Sequence, residues 1–504
     1  MSHENTRVHA AALLLCAAFV PIRALSACGG SDGTDTGLEG GGPENDAAGG
    51  GDTGTNPPRY DGGFAGDGGA FGNDGGGSAD ATGHPASDGA PGDDATDRDG
   101  ASGDDASEHE GSAGDDAADH DAAPNDAPGA PFVPAMHPPF PQLQGGGQVI
   151  AHPTVVGMFF SDYDNTTAVS AMLAGLPTVV MPDGNQYWST AVSEYGVGPL
   201  TVLPPITLSQ NAPTTNPNPA SLVSSEIASN AALANVDSNT VIAVFYPSKT
   251  PLSGSCAAQA IGFGGYHDSV MTNKGRIPFA VVSECANFGP LTSALDMVTV
   301  AGSHEIIEAV TDPFQSGYPG LDTSTPAGWA WDVLLGGNEE NGDMCTINTG
   351  NGRPSAAYPY LLQRGWSNRA AAAGNLDPCQ PDILPAQPFV GAFPVMPDMV
   401  NAGQSIGPGV KIAVGSSETV EVDCYSFEAT APFTVAARQA RSIQPPQLSF
   451  SWDKTTCLNG DKLHLTITVQ SQGMNGVEPF ILYAQLPGVS DPQMPTWASV
   501  VAQQ

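Results

Sequence analysis

Positive charge is scarce in this chain of 504 residues: Lys and Arg total 15 against 53 Asp and Glu, a formal net charge of -38. Nucleic acid is held through clustered Lys and Arg, so this balance argues against a nucleic-acid partner. A charge of this size favours solubility and self-repulsion and carries no information on fold. Long apolar runs are missing as well, and none reaches the roughly 20 residues that a membrane-spanning helix needs. Neither the nucleophile-elbow pattern G-x-S-x-G nor the phosphate loop G-x-x-x-x-G-K-[ST] occurs, and Ser, His and Asp stand at no spacing diagnostic of a triad.

What is present begins with an address. Arg7 precedes a short apolar run over residues 10–20, too short to span a bilayer but of the length of a signal-peptide core. Leu25-Ser26-Ala27-Cys28 then resembles the lipobox of bacterial lipoproteins, with Arg23 before it as a mild departure. The resemblance implies that residues 1–27 are a cleaved signal and that Cys28 is lipidated and anchors the chain to a membrane. With Gly29 after the cysteine, it further implies outer-membrane sorting and a place in the cell envelope or at the cell surface. Residues 28–131 are mainly Gly, Ala, Asp and Ser, with acids opposed only by Arg59 and Arg98 and with Tyr60, Phe64 and Phe71 as the aromatics. Such a segment buries too little apolar surface to offset its conformational entropy, so a long disordered tether is expected. Its Asp-Gly pairs lack the fixed ligand spacing of a calcium loop.

Of the eight cysteines, Cys16 lies in the signal and Cys28 closes the lipobox. The other six form an even set in a chain read as exported, which points to disulfides. Neighbours in sequence are expected to pair: Cys256 with Cys285, Cys345 with Cys379, and Cys424 with Cys457.

Residues 132–383 carry mixed signals and predict an α+β or α/β/α sandwich domain. Strands are expected over 155–160, 240–246 and 278–282. Helices are expected over 167–174, from Asp183 to a stop at Gly196, over 221–235, and over 291–310. The last of these carries Ser303-His304-Glu305-Ile306-Ile307-Glu308, closed by Thr311-Asp312-Pro313. His304 and Glu308 are four residues apart and therefore lie on one helix face. An imidazole nitrogen and a carboxylate oxygen are both good zinc ligands, and a catalytic zinc site takes three protein ligands and leaves one position open. Glu305, one residue on from His304, is placed to act as general base. Asp343, in Glu340-Asn341-Gly342-Asp343-Met344-Cys345, is taken as the third ligand, with Glu340, Asp312 and His267 as alternatives that spacing alone does not separate. Trp329, Trp331 and Trp366 read as core or rim packing ahead of a substrate cleft.

These motifs run in the order Gly264-Gly265-Tyr266-His267, Ala280-Val281-Val282 before Cys285, H-E-x-x-E-A-x-T-D-P, E-x-G-D-x-C and Trp366-Ser367-Asn368. The order resembles a bacterial and fungal set related to the Exordium (phosphate-induced protein) family, over about residues 150–380. The resemblance implies a secreted or wall-associated protein with a zincin-like core. It makes His304 and Glu308 metal ligands and Glu305 the base, and places Glu340 and Asp343 nearby. Two departures stand out. Gly264 occupies a position that is often Cys in the bacterial pattern, and the plant members keep a Thr-x-Pro-Phe segment like Thr311–Phe314 without the His-Glu pair.

Residues 384–504 are punctuated by Pro and Gly and show short strands over 410–414, 419–423, 433–437, 448–452, 463–469 and 480–485, which predicts an all-β, immunoglobulin-like sandwich acting as an accessory domain. The whole reads as a cell-surface zinc endopeptidase acting on protein or peptide. The alternative is a non-catalytic surface or wall-binding lipoprotein with a structural metal site or none. Nothing in the sequence bears on oligomeric state.

Overall fold

The computed structural model describes residues 131–504, except 216, 251, 253–263, 286–292, 338, 347–350, 383–387, 404, 441–445, 474–475 and 490–496. The expected signal, Cys28, most of the tether and Cys256 lie outside the described residues. Among the described residues, no helix is long and apolar enough to cross a membrane. The chain mixes helix and strand, an α+β arrangement with β-sandwich parts.

A short strand β1 (Leu143–Gln144) runs antiparallel to Gly320–Leu321. The main sheet is then built from β2 (Thr154–Phe159), β3 (Thr201–Val202), β4 (Ile206–Thr207), β5 (Thr240–Tyr246), β6 (Gly265–Thr272) and β7 (Gly275–Ser283). Its order is β3-β2-β5-β7-β6, and β4 lies beside β2 further along. All neighbours are parallel except the β6–β7 hairpin at one edge. β5, rich in Val, Ile and aromatic residues, is buried at all seven positions, as a central parallel strand covered on both faces must be. Alternate side chains divide between two cores. Val155, Phe159, Val241, Phe245 and Val282 meet α1 (Thr166–Gly175), α2 (Tyr187–Val192) and α4 (Ala294–Thr311), while Val156, Met158, Ile242, Val244 and Val281 meet α3 (Pro219–Ser229). The result is a three-layer α/β/α arrangement.

Two helix ends differ from expectation. Asp183 does not open a helix: its carboxylate accepts the Asn185 N–H at 2.9 Å, and Gly184 takes a φ of 85°, so residues 181–185 close a turn and α2 starts at Tyr187. The helix expected over 221–235 is interrupted at Asn230, whose extended backbone ends α3 and whose side chain caps the separate turn Ala231–Leu233.

The C-terminal part is two facing sheets. One has the order Val390–Pro394, Ser417–Ser426, Lys462–Val469, Leu448–Trp452. The other has the order Asp398–Ala402, Ser405–Ile412, Trp497–Gln503, Val477–Gln485, Phe433–Gln439, Thr456–Cys457. All six strands expected from the sequence are present. Val390–Pro394, Asp398–Ala402, Thr456–Cys457 and Trp497–Gln503 were not expected. The Cys424–Cys457 disulfide joins the two sheets, and Cys345–Cys379 is formed as well. Cys285 is also disulfide-bonded, and the Cys256 half of the pair expected for it lies outside the described residues.

The sandwich core continues across the expected boundary at 383/384. α5 (Pro326–Leu335) packs on Trp497–Gln503 and Ser405–Ile412, and its Trp329, Ala330 and Leu334 belong to the same core as Val500 and Val501. The Trp329 indole donates to Ser405 Oγ at 3.0 Å. Gly407 lies so close beneath the same ring that a Cβ would stand 2.1 Å from Cδ2. Replacing Gly407 by Ala should therefore lower stability by roughly 1–3 kcal/mol through overpacking. Urea denaturation of the chain measures this, and an unchanged midpoint would show that α5 is not seated on that strand.

Candidate metal centre

Ser293 caps α4 by accepting the Asp296 N–H, and the helix then runs 18 residues with every position from Met297 to Thr311 buried. Ile306 and Ile307 enter the core beneath the main sheet. The same burial carries His304, Glu305 and Glu308 out of water, where an ionisable side chain needs compensation.

Two other segments complete the cluster. β6, next to β7 with His267 opposite Ala280, delivers His267. The turn before the short helix Asp343–Thr346 delivers Glu340 and Asp343. That turn is held from three sides: Asn341 accepts the Trp366 N–H at 2.8 Å and donates to Ala191 O at 3.2 Å, Asp343 N–H donates to Glu308 Oε1 at 3.0 Å, and Cys345 is tied to Cys379. Two glycines permit the approach. A Cβ on Gly342 would lie 2.5 Å from His304 Nδ1 and 2.8 Å from Glu308 Oε1, and one on Gly265 would lie 2.6 Å from Glu305 Cγ. Sequence reasoning quoted both glycines within motifs without seeing this role, because the signal is a distance across the fold and not a spacing along the chain.

The cluster resolves into two buried triads, His304–Glu308–Asp343 and His267–Glu305–Glu308, each with its donor atoms within 4.8 Å of one another. His304 Nε2 is 3.0 Å from Glu308 Oε2 and 3.5 Å from Asp343 Oδ1. His304 Nε2 and Glu308 Oε2 are both fully buried, yet no hydrogen bond joins them. Ligands about 2.0–2.1 Å from a tetrahedral ion stand about 3.3–3.4 Å apart, and the two separations bracket that value. Buried imidazole and carboxylate donors converging in this way could hold a metal ion.

Of the alternatives to Asp343, Glu340 Oε2 lies 3.4 Å from His267 Nε2, one residue removed from the first triad. Asp312 belongs to neither triad: its Oδ1 accepts the Ser316 and Gly317 N–H groups at 2.5 and 2.7 Å and fixes the turn after α4. His267 enters the second triad and not the first. Trp329, Trp331 and Trp366 are buried core residues, Trp331 and Trp366 with ring centroids 5.9 Å apart. In Trp366-Ser367-Asn368, Ser367 caps the helix Asn368–Ala373, and the Asn368 amide binds both backbone groups of Leu143 at 2.8 Å.

No protein-family model matches the chain, and no curated protein is detectably similar to it. Among solved structures, a Bacteroides ovatus GH5 xyloglucanase in complex with a XXXG heptasaccharide overlaps 19% of this chain at 13% identity and a TM-score of 0.12, and the chain spans 17% of that protein's length. A chimeric titin Z1Z2 functionalized with a KLER exogenous peptide from decorin overlaps 24% of this chain and 98% of its own at 14% identity and a TM-score of 0.14. Neither likeness bears on the site.

Next to the cluster, burial pushes the Glu339 carboxyl up to about 8, and the nearby Asp332 carboxylate adds to the rise. Asp332 is itself raised by burial. A carboxyl whose folded pKa is raised keeps its proton in the folded state after the unfolded chain has lost it, so stability falls as pH rises between the ordinary carboxylate range and about 8. Glu339→Gln should flatten that decline, which for one proton cannot exceed about 1.4 kcal/mol per pH unit. Unfolding free energies at several pH values, with chelator present, check this; an unaltered slope in the variant would remove Glu339 as its source.

Proposed function

We propose that residues 132–383 form a zincin-like domain, related to the bacterial relatives of the Exordium family, and that the chain is a zinc-dependent endopeptidase displayed at the cell surface. The observation that carries the reading is the arrival of Asp343 beside His304 and Glu308, which supplies the third donor that a helix face alone lacks. His304 Nε2, Glu308 Oε2 and Asp343 Oδ1 would hold the ion. When bound, it supplies Lewis-acid polarisation of a carbonyl and lowers the pKa of water. Glu305, outside this triad and one residue along the helix from His304, would take up a proton and return it to a leaving amine. Gly342 leaves room for the His304 ring, and the Cys345–Cys379 disulfide fixes the loop carrying Asp343. In this reading Cys28 is the lipidated anchor, residues 28–131 are the tether and the immunoglobulin-like sandwich is an accessory module.

One observation favours a second reading, a closed metal site that braces α4 without catalysis: no side chain of the two triads is more than 5% exposed. The two readings part in experiment. Metal analysis of the full chain should find about one tightly held zinc, lost in His304→Ala. Glu305→Gln should keep the metal while peptide hydrolysis falls by about 10²–10⁴-fold. Absence of zinc from the wild type would sink both readings. Zinc without hydrolysis of a peptide library would leave the bracing role. Gly342→Ala removes no ligand but pushes on His304 and Glu308, so metal affinity should drop by about 10–100-fold, as for other changes behind a ligand; competition with a chelator measures it, and an unchanged affinity would place the ion away from His304.

A further inference from the structure

The two triads have Glu308 in common and no other residue. We propose that His267, Glu305 and Glu308 form a second divalent-cation position beside the first, with the Glu308 carboxylate as the bridge. The inference rests on the metal-site reading above and extends it to a residue, His267, that the first site does not use.

The His267 ring sets the argument. Its Nε2 lies 3.2 Å from the backbone oxygen of Asp312. A carbonyl oxygen only accepts, so Nε2 carries the proton, and in the neutral ring the lone pair is then on Nδ1. Nδ1 stands 3.8 Å from Glu308 Oε2 and 3.9 Å from Glu305 Oε2. Electron-pair donors thus face one another at these distances inside the fold, an arrangement a cation relieves. An imidazole steadied through its far nitrogen by a carbonyl or carboxylate is the usual support behind a metal ligand. Here Asp312 O and Glu340 Oε2, 3.4 Å from Nε2, both stand in that place.

Glu308 gives the second, independent observation. Its Oε2 is wholly buried, 3.0 Å from His304 Nε2 and 3.8 Å from His267 Nδ1, and is hydrogen-bonded to neither. Its Oε1 is already taken by the Asp343 N–H. One carboxylate oxygen 3.0 and 3.8 Å from nitrogens of two imidazoles can serve as a bridge, and ions sharing a bridge in two-metal sites lie about 3.5–4 Å apart. Glu305, Glu308, Glu340 and Asp343 lie with His267 and His304 in one buried cluster, which offers more donors than the three protein ligands of a single catalytic ion use.

The separations around His267 are wider than those around His304, so the second position is the weaker. Filling it engages Glu305, the group assigned above as base, and withdraws it from proton transfer. Metal in excess of the first equivalent should therefore suppress the activity that the first equivalent supports.

The test is a titration of chelator-stripped full-length protein with Co²⁺, read by visible absorption and by native mass. Two ions per chain are expected, the second bound more weakly. His267→Gln, with its fold checked by circular dichroism, should take one, with the tight step intact; His304→Gln should lose the tight step. Saturation of the wild type at one ion overturns the proposal by itself, as does a His267→Gln protein that still takes two. A single ion lost in His304→Gln leaves the endopeptidase reading standing without the second site, whereas no binding at all ends both.

Discussion

Desolvation of charge inside α4 is the constraint on which the site depends. A helix buried along its length would ordinarily be apolar all round. This one interrupts Ile, Val and Ala with His304, Glu305 and Glu308, each nearly inaccessible to water. Burying several carboxylates costs far more than a helix gains from propensity, so the surroundings must answer for them. The answer is local: His267 from the edge strand, the Asp343 N–H on Glu308, and a geometry ready for a cation.

The scaffold around that helix is designed to hold its neighbours still. The parallel strands support α4, and the antiparallel β6 at the sheet edge brings His267 to it. On the far side, α5 is seated in the sandwich core, and Met344 and Cys345, next to Asp343 in the chain, belong to that same core. The C-terminal sheets thereby help to brace the segment that carries the third donor.

The sequence showed the fold where a signal is local. Thr240–Tyr246, a run of β-branched and aromatic residues, was legible to the residue, and the end of α4 was legible from its Asp-Pro stop. Trp497–Gln503 was missed because it is apolar on both sides and lacks alternation, and Val390–Pro394 and Asp398–Ala402 because Pro394 and Pro397 argue against strands. Gly265–Thr272 was missed because its polar His267-Asp268-Ser269 does not read as a strand until β7 pairs with it. At the site, the pair on one helix face was visible from a four-residue spacing. The choice among Asp343, Glu340, Asp312 and His267 was not, since Asp343, Glu340 and His267 meet α4 only through long-range contacts. Asp312, the nearest in sequence, turns its Oδ1 to the turn after the helix.

The Cys345–Cys379 bond lies two residues beyond Asp343 and ties that loop to the strand beside Trp366. Asp343 is therefore held in place by a covalent link that forms only in an oxidising compartment. Before that bond closes, the loop has less to hold it against Glu308, and the unfolded chain has no preformed set of donors. Closure of Cys345–Cys379 is thus a step in fixing Asp343 beside Glu308, so the oxidation state of this one pair governs how firmly the buried cluster is assembled.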